Sequence, residues 1–298
     1  MPTKSWSRFE FICKKIAREK RMSLKKKFIV GTVLLLIAVI IYSFLWGRLF
    51  AFSPIIIGFE QREFNKVIIY YRKGTDISNF IIADSLINEM EDFHQLKFKK
   101  RVKIFVFNSD KEYTRHSGMK TRFVTFPLYG RIFVSSKAKK ESGEEKIHLD
   151  VYLKHELSHS LLYQNMSLYR SCYYPGWLLE GIAVYSANQM GIDGYFTEKE
   201  TFDKIRKGYF LNPDDWGTLS REESVKNFPL PNKYWFIYSE FACLVDDIIQ
   251  NYGKERLLRY ITELLEEKDD KKVFQKIFGI EFNEYIDDFK NRFGYNSE

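Results

Sequence analysis

Nineteen consecutive residues, 28–46, carry no charge and are dominated by Val, Leu and Ile. As a helix, a run of this length spans the hydrocarbon core of a bilayer, roughly 30 Å thick. A core helix of a soluble protein is seldom so uniformly apolar. A cleaved signal peptide is the closer rival, because Ala51-Phe52-Ser53 has the small-x-small pattern of a cleavage site. Against it, the run exceeds the usual apolar region of a signal, and Pro54 follows the would-be cut directly. Residues 28–50 are therefore read as an uncleaved transmembrane anchor, with Tyr42, Trp46 and Arg48 at its far interface.

The charge distribution supports this. Residues 1–27 hold ten Lys and Arg against Glu10 and Glu19, which accounts for the whole formal charge of +8. The rest of the chain is close to neutral, so the basic balance is no sign of nucleic-acid binding. Basic residues ahead of a span predict a cytoplasmic N-terminus. The chain then reads as a basic cytoplasmic tail (1–27), one span, and an extracytoplasmic domain (51–298) at the cell membrane. The tail serves as a topology signal in preference to an anionic-lipid switch. Cys13 within it is a weak candidate for acylation.

The chemistry lies in His155-Glu156-Leu157-Ser158-His159. Histidines four residues apart on a helix share a face, one turn apart, and can grip one ion. Neutral imidazole suits Zn²⁺, and the carboxylate beside the first histidine can act as general base on a water that the ion polarises. Apolar Val151, Leu153, Leu157, Leu161 and Leu162, with no Gly or Pro between them, predict a helix over residues 145–164. Catalytic zinc usually takes three protein ligands. About twenty residues on, Glu180 stands in the apolar run 175–185. A buried, unpaired carboxylate is costly, and a metal would remove that cost.

The two segments HELSHSLLYQ and PGWLLEGIAVY resemble the gluzincin metallopeptidases, in particular the small peptidase MA-like group. The resemblance implies one Zn²⁺ held by His155, His159 and Glu180, with Glu156 activating water. It is similar at pattern level over roughly residues 65–295. Residues 103–107 followed by 109–113 resemble the family's segment before its hairpin. Gly130-Arg131-Ile132-Phe133-Val134 resembles its substrate-facing edge strand, along which a peptide lies extended. Tyr252-Gly253 and Tyr238-Ser239 resemble its C-terminal helical half. The position of Tyr238 makes it the candidate oxyanion donor, although Tyr238-Ser239 departs from the family's wider spacing and a core aromatic is an equal rival.

In order, residues 67–71 read as a strand, 77–93 as an amphipathic helix and 101–107 as a strand. Residues 122–126 and 131–135 flank Pro127-Leu128-Tyr129-Gly130 as a hairpin. Residues 137–145 read as a polar loop and 193–233 as short helices and loops. Helices follow over 234–252 and 254–267, then a helix pair over 273–293. Strands first and helices after argue an α+β fold, and the resemblance implies a zincin-like one. His148, two turns or about 10 Å before His155, is too far for the same ion and reads as a surface or supporting residue. His94 and His116 have polar neighbours in sequence and read as solvated. Cys172 and Cys243 are too few for a disulfide framework, although an oxidising compartment would let them pair.

These features give a membrane-anchored zinc metallopeptidase acting on peptides or proteins. A catalytically silent zincin-like binding domain is the alternative, and a lipid-contacting module a third. Glu156 favours the first, since a silent domain has no need of the base beside intact ligands. The lipid module needs an exposed amphipathic face near the span, where only the short run 53–57 is apolar.

Overall fold

The computed structural model describes residues 5–217 and 223–295. Met1–Lys4 of the basic tail, the Cys13 side chain and residues 218–222 of the segment read as loops lie outside the described residues. The chain divides into two units, residues 1–57 and 58–298.

The first unit holds α1 (Ser5–Trp46), one continuous 42-residue helix. Its stretch Leu24–Trp46 is long and apolar enough to cross a membrane, a property common to anchors and signal sequences. Apolar side chains along it, among them Phe28, Leu34 and Leu35, are exposed.

The second unit is α+β. It opens with β1 (Glu60–Glu63) and β2 (Val67–Tyr71). A 3₁₀ turn, Ser78–Ile82, leads into α2 (Ala83–His94), so the expected helix over 77–93 begins as a tighter coil. β3 (Val102–Val106) and α3 (Asp110–Ser117) follow, then the hairpin of β4 (Phe123–Phe126) and β5 (Arg131–Val134). The strands form one sheet in the order β1-β2-β3-β5-β4, in which β2, β3 and β5 are parallel and the outer pairs antiparallel.

This order corrects one expectation. β5, read as the edge strand, lies between β3 and β4, and β4 is the outer strand. Burial gives the reason: all four residues of β5 are buried, whereas β4 alternates buried and half-buried. A strand covered on both faces belongs inside a sheet, and an alternating one suits its margin.

One face of the sheet presents Val67, Ile69, Val102, Ile104, Val106, Ile132 and Val134 to α2 and to the motif helix. The other carries an aromatic layer in which Tyr70 stacks on Phe105 at 4.7 Å and Phe133 packs against Phe105 and Phe126. The residues read as a polar loop form α4 (Ser136–Gly143), capped by Ser135, whose hydroxyl accepts from the Ala138 amide. The motif helix α5 (Leu149–Asn165) begins four residues later than expected. Glu145, expected to start it, lies in the left-handed region at φ 54° between the two helices.

The remaining helices form the second half of the unit. They are α6 (Leu168–Ser171), α7 (Gly176–Ser186), α8 (Glu198–Ile205), α9 (Glu223–Lys226), α10 (Lys233–Tyr252), α11 (Lys254–Glu263), α12 (Asp270–Phe278) and α13 (Phe282–Arg292). Their core joins Trp177, Leu178 and Ile182 of α7 to Phe236, Phe241, Leu244 and Ile248 of α10. α7 and α10 approach so closely that a Cβ on Gly181 would come within 2.6 Å of the Phe241 carbonyl oxygen. Only glycine permits that contact, and it fixes the residue next to Glu180.

His94 and His116, read as solvated, are both buried. His94 shares the inner face of α2 with Ile87 and Met90, and its Nε2 lies 3.0 Å from Ser158 Oγ. Burial lowers its pKa to about 3, helped by the charges of Lys254 and His159. His116 packs on Phe107, and burial lowers its pKa to about 4 against the opposing pull of Glu112. The flanking sequence is polar because it faces outward, while the histidines occupy the inward positions. Among the described residues, Cys172 and Cys243 do not form a disulfide.

Candidate metal centre

α5 lies between the two halves of the unit, with the sheet and α2 on one side and α7 on the other. Eleven of its 17 residues are buried. A helix covered on several sides buries its polar side chains as well, and these must then find partners. His155, Glu156 and His159 are such residues, at 5 %, 6 % and 7 % exposure.

The i, i+4 spacing sets the two imidazoles on one face with their Nε2 atoms 3.0 Å apart. α7 brings Glu180 across, its Oε2 3.5 Å from each Nε2. Four-coordinate zinc, with bonds of about 2.0–2.2 Å to N and O, sets neighbouring ligand atoms about 3.4 Å apart. The triangle of 3.0, 3.5 and 3.5 Å matches one face of that tetrahedron. Two imidazoles and a carboxylate are a donor set that suits zinc. The residues therefore fit the ion, and among the described residues they form the one such cluster.

The electrostatics agree. Burial works to raise the Glu180 carboxyl, but the charge of His159 and the close approach of His155 outweigh it and hold the pKa well below the usual carboxylate range. Glu180 stays ionised, as a ligand must be. Burial instead pushes Glu156 up to about 7, with the Glu180 charge adding and His155 and Thr125 opposing. Neighbouring carboxylates thus have separate environments, one suited to remain charged and one to exchange a proton near neutrality.

Two residues that sequence reading missed complete the surroundings. Thr125, on the outer strand β4, donates to Glu156 Oε2 at 2.6 Å. Gln189, just past α7, places its Oε1 2.8 Å from His155 Nδ1. Neither sits in a motif, and a single Thr or Gln at such a distance in sequence carries no signal of its own. Gly130 seats the β4–β5 turn on α5: at φ 59° its carbonyl accepts from Ser160 Oγ at 2.7 Å, and a Cβ there would collide with the Ser160 backbone.

Tyr238, expected as the oxyanion donor, lies beside His155. Its ring stacks over His155 at 6.4 Å and is flanked by Trp216 and Tyr195. Tyr163, one turn beyond His159, sits at the same centroid distance of 6.4 Å from that ligand. His148 is exposed and pairs with Asp193 at 3.0 Å, a surface position apart from the triangle of His155, His159 and Glu180.

No family model matches the chain. It is 24 % identical over 208 residues to the uncharacterized protein YhcO of Bacillus subtilis (strain 168). That match takes in 67 % of this chain and 60 % of the relative, so the chain spans about three fifths of the curated relative's length.

Proposed function

We propose that this chain is a membrane-anchored, zinc-dependent peptidase with a zincin-like domain of the gluzincin type. The observation that carries the reading is the ligand triangle of His155, His159 and Glu180 with Glu156 in the adjoining position of the same helix. When bound, zinc would supply Lewis-acid polarisation of a water and of the scissile carbonyl. Glu156 does the proton work: held at one oxygen by Thr125, it accepts the water's proton at the other and returns it to the leaving amine. The hydroxyl of Tyr238, on the His155 side, supplies the oxyanion's hydrogen bond. The buried base beside intact ligands favours this over the silent binding domain, which has no use for it.

The outer strand β4 runs directly past Glu156 through Thr125. An extended peptide paired to that strand binds through its backbone and tolerates many side chains. Cleavage is therefore expected in unstructured segments and should be poor in folded domains. Digestion of a peptide library alongside a stably folded helical protein tests this, and efficient cutting within the folded helices would contradict it.

The basic tail ahead of an uncharged span supports a cytoplasmic N-terminus with the catalytic domain outside. Protease added to spheroplasts should digest residues beyond about 50 and spare the tail. A protected C-terminal domain would reverse the assignment.

A further inference from the structure

We propose that Gln189 is a positioning residue of the metal centre: its side-chain oxygen fixes His155 as the Nδ1–H tautomer and so turns the lone pair of Nε2 toward Glu180 and His159. The inference rests on the metal-centre reading above.

A neutral imidazole carries one N–H, and the partner of one nitrogen decides where it sits. Gln189 Oε1 accepts from Nδ1 at 2.8 Å. Nε2 is then unprotonated, and it is the atom that lies 3.0 Å from His159 Nε2 and 3.5 Å from Glu180 Oε2. The clamp is rigid. Gln189 is fully buried. Its backbone N–H donates to the Val184 carbonyl at 3.0 Å and its backbone carbonyl accepts from the Ile192 N–H at 3.1 Å. Asn188 before it turns the chain through the left-handed region at φ 52°. α7 and the turn that ends it thus supply both a ligand, Glu180, and the group that orients another. His159 has no counterpart, since its Nδ1 has no hydrogen-bond partner among the described residues. The orientation of the histidine pair therefore depends on His155.

The residue type also matters. A carboxylate commonly fills this role behind a zinc-bound histidine. Here the buried site already contains Glu156 and Glu180, and a third carboxylate would add charge that one divalent ion cannot neutralise. Glutamine provides the acceptor without the charge.

The test uses the full-length chain in detergent, ¹⁵N-labelled at its five histidines, with His155 assigned by its loss in His155→Asn. In metal-free wild type, His155 should be protonated at Nδ1 and bare at Nε2. Gln189→Leu, which keeps bulk but no acceptor, should shift it toward the Nε2–H form and weaken zinc binding about 10- to 100-fold in a chelator competition. Gln189→Glu, which restores an oxygen, should recover the Nδ1–H tautomer. Wild-type His155 protonated at Nε2 would overturn the proposal, as would unchanged tautomer and affinity in a folded Gln189→Leu. The wild-type tautomer needs no variant and no metal, so it decides the matter even if Gln189→Leu does not fold. Wild type with Nδ1–H that takes up no zinc would sink the metal centre and leave the hydrogen bond assigned here.

Discussion

Glu156→Gln is expected to lower turnover by about 10² to 10⁴ while zinc content and fold survive, the usual scale for a positioned acid–base group. Glutamine keeps the size and can still accept from Thr125 Oγ1, which lies 2.6 Å from the native carboxylate. It cannot take up a proton. Because Glu156 lies outside the ligand triangle of His155, His159 and Glu180, the ion should remain. Tyr238→Phe should cost less, since the metal also polarises the carbonyl. Steady-state kinetics on one peptide, with zinc measured on the same samples, separates the effects. A Glu156→Gln protein as active as wild type would remove the base from the mechanism and leave the peptidase class standing.

The second large effect concerns the ligands. His159→Ala leaves one imidazole and Glu180, and most bound zinc should be lost. An ion that binds only the native state stabilises it by about 4 kcal/mol at a thousand-fold excess over Kd. For a domain of some 240 residues that is a shift in Tm of about 8–16 °C. The zinc-dependent part of the melting temperature should therefore vanish in His159→Ala and in Glu180→Ala. Full zinc occupancy in either variant would show that the ligand set is wrong.

The site was largely legible in sequence because helix geometry fixes it. An i, i+4 pair on a helix is a spatial statement, and Glu180 in an apolar run required a partner. The C-terminal helices were legible from their period. Strand order was not, since a hairpin does not reveal which arm faces the sheet. A signal was there, however. Ile132-Phe133-Val134 is continuously apolar, whereas Phe123-Val124-Thr125-Phe126 breaks that run with a polar residue. His94 could have been found from its seven-residue spacing to Ile87 on the inner face of α2. α4, read as a loop, could likewise have been found from Ser135 as a cap ahead of good helix formers. Thr125 and Gln189 were not legible, because tertiary packing alone brings them to α5.

The most direct test of the central claim is hydrolysis of an unstructured peptide by the purified full-length protein before and after removal of its zinc. The account predicts that a chelator abolishes cleavage and that one equivalent of zinc per chain restores it. Cleavage undiminished in the zinc-free protein, or none by the protein carrying one zinc per chain, would contradict it.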